Sequence, residues 1–593
     1  MLQLFSVGPQ YNNDYTVKAQ LRGSNEMNGH NASLDLSKPT IESILLKSNG
    51  EIRLQEDSIL AVVGPNNSGK THFLKQLRSV LFGGRTLGIN NDDGLIDSTR
   101  LRWPTNDPRK YLLDFAAQNF PKRESIFSLD LPFEVYGSSG NISERDIEEL
   151  AARGDIFGPF VESFVRMDEP LSRISETERQ SMENLESALV RLKSQDVAYK
   201  SVRQDFQFIF DEEIHFHPHN GKLNFFLGRP AVSMPSITEA NSKEVYQFLE
   251  NARTIDHQGL GMRNVVGLLL RLYTDSRSVI LVDEPEAFLH PPQANRLGQV
   301  ISQVCLHHKR QVICATHDRN LLSGLSKGEE NQLVVQRLAF REARGSRYSS
   351  LTVDPVAFSD IRGKSRIRFT PILESLFASV AILVENEKDA LFFETALESR
   401  WQRLPSQGAR ALRDSLIFIP TNGNSNFPST ANLLKDLRSP TVVVGDLDLV
   451  SDPKRLMNTA RAMKSSDADK AGDLARRIGE RFEQLDASEF AKFEKGVREG
   501  KIKKKVAEEI RLQHEDEVIS SLVSELIVLL KHSRVLLIPD GELEDFGRDI
   551  TNSRDKNEWV RLAIDEKVYE RESVQEFCDS VIAAAFSAVE NKE

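Results

Sequence analysis

The chain carries a series of short apolar runs that stop abruptly at glycine, proline, threonine or acid: "ILAVV" (59–63), "VILV" (279–282), "VICA" (312–315), "AILV" (381–384), "LIFI" (416–419), "VVV" (442–444) and "VLLI" (535–538). Runs this short, apolar without alternation, predict strands buried on both faces, as in parallel sheets covered by helices. Several are followed by apolar residues at helical spacing, for example "THFLKQL" after the first run and "DALFFETALESR" after Val384. Strands alternating with helices predict an α/β fold, whose ligands sit at the carboxyl ends of the strands.

Two stretches depart from this rhythm. Residues 130–255 read as an inserted region: "ISERDIEELAARG" and "ETERQSMENLESALVRLKSQ" have helical periodicity with charged faces, while "FQFIFDEEIHFHPHNGKLNFFLG" reads as a hairpin around Asn220-Gly221. A second charged, helix-rich insertion spans about 452–533, either a lid or a docking arm. Its "KIKKK", Lys501 to Lys505, is either a solvated helix face or a contact for phosphate backbones. In "HFHPH", His215, His217 and His219 share a strand face, so metal binding competes there with ordinary strand packing.

Composition narrows the classes. A chain of 593 residues needs roughly two to four domains, here 1–365 and 366–593. No apolar run reaches the roughly 18 residues of a membrane span, and the first fifteen residues lack a basic segment followed by an apolar one, so a cytoplasmic protein is expected. Cys305, Cys314 and Cys578 form no C-x-x-C pair, which argues against disulfide frameworks and zinc modules. The net charge of −11 excludes a broadly basic surface but not a local nucleic-acid groove.

The first run leads into Gly64-Pro65-Asn66-Asn67-Ser68-Gly69-Lys70-Thr71 and then a helix, the strand-loop-helix context of a P-loop. Backbone N–H groups wrap phosphates there, Lys70 reaches the β and γ phosphates of ATP, and Thr71 offers its hydroxyl to Mg²⁺. The second run ends at Asp283 and Glu284, placed to hold Mg²⁺ through water and to polarise the attacking water. His317 follows the third run, as a γ-phosphate sensor or as a structural residue. This order resembles the ABC-type ATPase heads of the SMC, Rad50 and OLD group. The resemblance implies that a glycine-bearing signature closes over ATP bound by a second subunit. "HQGLGMRNVVGLLLRL", with Gly259 and Gly261, occupies that place and departs from L-S-G-G-[QE]; a homodimer or higher oligomer follows.

After 366 the acids gather. Glu385 ends one run, Asp389 opens the next helix, and Asp446 and Asp448 end "TVVVGDLDLV", where strand geometry puts residues i and i+2 on one side. Two like charges so close are either a polar turn or a site for hard cations such as Mg²⁺ or Mn²⁺. The set resembles a TOPRIM domain, E-G-x-x-[DE] followed by D-x-D, with Asn386 where glycine is common. The resemblance adds a final acidic element, Glu544 first and Glu542 in reserve, and a transition-state lysine for which Lys556 is the nearest candidate.

ATPase head followed by TOPRIM resembles the OLD (overcoming lysogenization defect) nucleases, which include Gabija-type and retron-linked antiphage effectors. The resemblance implies an ATP-regulated, divalent-metal-dependent DNA endonuclease or nickase in phage defence, with a reverse transcriptase and its non-coding RNA/DNA, or a helicase, as partner. The alternative is a DNA-organising or scaffold ATPase with a non-cleaving TOPRIM domain. Topoisomerase and primase fit less well, because no zinc module and little room for another domain remain.

Overall fold

The computed structural model describes residues 38–48, 50–81, 94–119, 122–123, 126–129, 140–145, 162–166, 176–177, 192, 195–219, 222–231, 243–329, 332–343, 346–353, 371–402, 415–486, 517–539, 541–551 and 555–590. Two parallel sheets organise them. The first uses β1 (Ile59–Val63), β2 (Glu162–Arg166), β3 (Val279–Asp283), β4 (Gln311–Ala315), β5 (Leu333–Ala343) and β6 (Ser346–Thr352), in the order β6-β5-β1-β4-β3-β2. All its pairings are parallel except β5 with β6. Every residue of β1 and β4 is buried, which is why these segments read as unbroken apolar runs.

Helix α1 (Lys70–Leu81) covers one face through Phe73, Leu74 and Leu77, in a core shared with an antiparallel sheet of Thr40–Leu46, Glu51–Arg53 and Ile96–Arg102. Helices α2 (Leu260–Thr274) and α3 (Pro291–His308) cover the other face.

The second sheet is built from β7 (Val380–Val384), β8 (Leu416–Pro420), β9 (Thr441–Gly445) and β10 (Val535–Leu537), all parallel, in the order β8-β7-β9-β10. One face carries α4 (Glu387–Gln402), α9 (Lys556–Asp565) and α10 (Glu572–Glu590), packed through Phe392, Phe393, Trp559 and Phe577. The other carries α5 (Phe427–Asp436), α6 (Pro453–Ala462), α7 (Ala468–Asp486) and α8 (Glu517–His532). The sheets are tied by Arg337 of β5, buried, which donates to the Ala378 carbonyl at 2.6 Å just before β7, and by an Arg319–Glu374 ion pair.

Several expectations change. The 130–255 region is not a helical insertion throughout. Its segment Glu162–Arg166 pairs in register with β3 as an edge strand of the main sheet, and Gly140–Ser143 and Glu176–Thr177 are also strands. Much of "ISERDIEELAARG" and "ETERQSMENLESALVRLKSQ" lies outside the described residues. The hairpin forms as read, Ile214–His219 against Lys222–Leu227, but "FQFIF" ends the helix Asp196–Phe210 instead of entering the hairpin. Burial of Phe206 and Ile209 a helical step apart explains that difference. The second insertion is helical, and its described parts are core: Leu456, Leu474, Ile478, Leu526 and Leu530 are buried against the sheet face. Lys501 to Lys505 lie outside the described residues. Among the described residues, no helix is long and apolar enough to cross a membrane.

Candidate functional site

At the carboxyl end of β1 the backbone turns through left-handed conformations at Gly64 (φ 152°), Asn67 (φ 61°) and Gly69 (φ 89°). A Cβ at Gly64 would collide with the Leu338 carbonyl of β5 and with Ser68, so close approach as well as φ requires glycine there. Asn66 and Asn67 are exposed at the loop tip, whereas Ser68 is buried. Lys70 is buried and its Nζ donates to the carbonyls of Gly64 (2.9 Å) and Pro65 (3.0 Å). Burial lowers its pKa, opposed chiefly by Glu284.

The Thr71 hydroxyl lies 3.3 Å from Asp283 Oδ1, so residues far apart in sequence meet where Mg²⁺ is expected. Glu284 stands at φ 51° beside the end of β4, its N–H bonded to the Ala315 carbonyl. His317 Nδ1 is 3.4 Å from Glu284 and 3.6 Å from Glu286. Glu286 was not singled out from the sequence. It is buried, accepts from the Thr316 hydroxyl (2.7 Å) and the His317 N–H (3.2 Å), and burial pushes its carboxyl up to about 7. The second glutamate of "DEPE" was its only signal.

The two signature glycines separate. Gly259 is the exposed N-cap of α2, with nothing near its Cβ position, whereas a Cβ on Gly261 would strike the Phe288 carbonyl of the loop after β3. Gly261 is thus explained within this chain.

In the second sheet, Glu385 follows β7 and Asp389 sits in the first turn of α4. Asn386 explains itself as a cap: its side chain accepts from the Lys388 N–H (2.8 Å), and its own N–H donates to Asp389 Oδ2 (3.0 Å). This reciprocal capping fixes Asp389. The D-x-D pair does not continue the strand. β9 stops at Gly445, and Asp446 caps a 3₁₀ turn, Leu447–Ser451, so the expected i, i+2 strand geometry does not hold. Burial of Leu447, Leu449 and Val450, with the Leu447 N–H bonded to the Gly541 carbonyl, requires the turn. Asp446 is left buried, and Asp448 is half-buried and accepts from Asn424 at 3.0 Å. Arg455 in turn donates to Asn424 (2.7 Å) and pairs with Asp452 (3.1 Å), a network the sequence did not reveal.

After β10, Glu542 caps the 3₁₀ turn Leu543–Gly547, and Glu544 lies within it. Lys556 opens α9 with its Nζ 2.7 Å from Asp389 and 3.5 Å from Asp446. Burial raises the carboxyl pKa values of Glu385, Asp389, Asp446, Glu542 and Glu544, with Asp448 adding to the effect at Glu385, which reaches about 7; Asp446 lies well above its usual range. Burial pulls Lys556 down, but Asp446, Asp389 and Glu544 push it further up.

Among the described residues, no three acidic, histidine or cysteine side chains stand close enough to hold an ion as placed. The donor chemistry fits a hard cation nonetheless: it is all oxygen, and Glu385 Oε1 and Glu544 Oε2 are buried without a hydrogen-bond partner. The histidine strand does not gather ligands. His215 is buried with Nε2 3.1 Å from the Gly228 carbonyl and its pKa lowered by burial to about 4, and His219 packs edge-on to Phe226.

One carboxyl edge built for phosphates and a second lined by carboxylates define a P-loop ATPase joined to a TOPRIM sheet. Comparison with known families agrees. Residues 59–323 match the family described as "AAA domain, putative AbiEii toxin, Type IV TA system", and residues 376–448 match "Overcoming lysogenization defect protein-like, TOPRIM domain". The chain therefore carries an ATPase domain followed by an overcoming-lysogenization-defect-like TOPRIM domain, an order that matches the ATPase–TOPRIM nucleases, supports a nuclease in general and implies use of nucleotide and divalent metal.

No curated protein matches the sequence. Solved structures with similarity include an SMC head bound to the C-terminal winged-helix domain of ScpA (15% identity, 53% of this chain and 98% of that one, TM-score 0.31). Others are the SMC head domain from Thermotoga maritima (14%, 53% and 99%, TM-score 0.28) and cbiO1 from Clostridium perfringens (14%, 55% and 91%, TM-score 0.26). These likenesses bear on neither activity nor partners.

Proposed function

We propose that the protein is an ATP-regulated, divalent-metal-dependent DNA endonuclease or nickase serving in antiphage defence. The observation that carries this reading is the convergence of buried acids on Lys556 at one carboxyl edge, its Nζ 2.7 Å from Asp389 and 3.5 Å from Asp446. Glu385, Asp389, Asp446, Asp448 and Glu544, with Glu542 in reserve, would hold Mg²⁺ or Mn²⁺. Such ions supply an activated water and neutralise charge developing on a cleaved phosphodiester. The chain's own groups prepare the edge: Asn424 orients Asp448, the capping pair fixes Asp389, and Lys556 balances Asp389 and Asp446.

On the ATPase side, Thr71 and Asp283 would hold Mg²⁺, and Lys70, now bonded to the loop carbonyls of Gly64 and Pro65, would bind the phosphates. Glu284 and His317 would face the γ-phosphate of bound ATP, with Glu286 holding the Thr316 hydroxyl and the His317 N–H. Exposed Gly259 suits closure over ATP held by a second copy, hence a homodimer. A reverse transcriptase with its non-coding RNA/DNA, or a helicase, is the class of partner that the resemblance offers.

The test is cleavage of supercoiled plasmid with Mg²⁺ or Mn²⁺, with and without ATP. The wild type is expected to nick or linearise it, EDTA to stop this, and Asp446→Ala to reduce it at least a hundredfold. Cleavage unchanged in Asp446→Ala would overturn the nuclease reading. DNA binding without cleavage in every metal would favour the scaffold ATPase.

A further inference from the structure

The amino-terminal edge of the second sheet, opposite the acids, carries a feature that neither catalysis nor ATP binding uses. Three helices end there, and each is followed by a basic residue in the left-handed conformation: Arg438 after α5 (φ 56°), Lys464 after α6 (φ 57°) and Arg534 after α8 (φ 59°). The first two are Schellman ends. Ser439 N–H reaches the Leu434 carbonyl (2.8 Å), and Ser465 N–H reaches that of Ala460 (3.0 Å). Glycine is the usual residue at such positions, so a cation at all three is a departure from local preference.

One cation per helix end complements the helix dipole. Here the ends converge, and with Lys435 they line one half-open pocket of about 120 Å³, which Leu351 of β6 in the ATPase sheet also lines. The pocket thus sits on the seam between the two sheets. Burial and the neighbouring Lys435, Arg438 and Arg534 all disfavour the charged form of Lys464, so the cations repel one another there. An anion relieves that repulsion, and the volume suits an oxyanion.

We infer that this pocket binds a phosphoryl group, as free phosphate or as the terminal phosphate of a nucleic-acid strand. The backbone of three helix ends fixes where Arg438, Lys464 and Arg534 leave the chain. The inference stands independently of the nuclease reading.

The experiment uses the full chain in a Lys70→Ala background, which removes phosphate binding at the P-loop. Inorganic phosphate is titrated calorimetrically at fixed ionic strength, beside the variants Arg438→Asn/Lys464→Asn and Lys435→Gln. Asparagine tolerates the left-handed conformation, and Lys435→Gln alters an exposed helical side chain, so folding is retained. Phosphate affinity is expected to fall at least tenfold in the double variant and several-fold in Lys435→Gln. Equal affinity in all three proteins would overturn the assignment. Fluorescence anisotropy with 5′-phosphorylated and unphosphorylated oligonucleotides identifies the source. A preference for the phosphorylated strand that the double variant abolishes assigns the group to nucleic acid; loss of inorganic phosphate binding alone assigns it to the free ion.

Discussion

Replacing Lys556 by methionine removes the cation that stands between two buried carboxylates while keeping most of the side chain's apolar volume. At 2.7 Å from Asp389 and 3.5 Å from Asp446, the gross attractions are about 6 and about 5 kcal/mol at an effective dielectric of about 20. Dehydration of the ammonium opposes them, and removing one partner of a buried pair costs about 3–5 kcal/mol net.

The loss is expected to depend on pH. Asp446 and Glu385 already titrate above their unfolded values, so they stabilise the fold least when ionised. Their contribution is favourable in acid and is lost as pH rises through the folded pKa, about 7 for Glu385. Without Lys556 the carboxyls take up protons instead. The variant should therefore lose about 3 kcal/mol at pH 8 and about 1 kcal/mol or less at pH 5, with millimolar Mg²⁺ restoring part of the loss at pH 8.

Urea unfolding followed by tryptophan fluorescence reads this directly, since Trp401 and Trp559, two of the three tryptophans, are buried around the second sheet. A loss below about 0.5 kcal/mol at pH 8, or the same loss at both pH values, would refute the charge-balance argument; such a value is that of a surface pair.

Three further outcomes are expected. Gly261→Ala, whose Cβ would strike a backbone carbonyl, should cost about 1–3 kcal/mol in the same unfolding assay. Gly259→Ala meets no atom within 4 Å and should leave stability within about 0.5 kcal/mol while lowering ATP turnover, measured as phosphate release, if a second copy's nucleotide lies against it. Asp205, which accepts from the Tyr273 hydroxyl, has its carboxyl raised to about 6 by burial. It weakens the fold as pH rises from about 4 to 6, so Asp205→Asn should stabilise the protein by about 1–2 kcal/mol at pH 7.5 and change nothing at pH 3.5, as thermal melts across that range would show.

The sequence by itself determined three strands of the first sheet, all four of the second, and the candidate residues at their ends. Fully buried parallel strands must be apolar on both faces, so 59–63, 279–282, 312–315 and 381–384 were legible without any partner in view. The P-loop was legible for a similar reason, because its glycine positions and its lysine are required locally. Residue 162–166 was not: an edge strand of this sheet lies inside what reads as an insertion, and only its pairing with β3 identifies it.

What the tertiary structure decided is which groups meet. The D-x-D pair turns as a 3₁₀ segment because Leu447 and Leu449, on either side of Asp448, must be buried together, a demand set by the neighbouring helices and Gly541. Glu286 and Asn424 acquire their roles from Thr316 and Asp448, residues on other strands' ends. Lys556 reaches Asp389 and Asp446 only because α9 packs beside α4 through Trp559 and Phe392. Short-range preferences are written in adjacent residues. Charge balance among buried groups depends on distances of a few ångströms, and only packing fixes those distances.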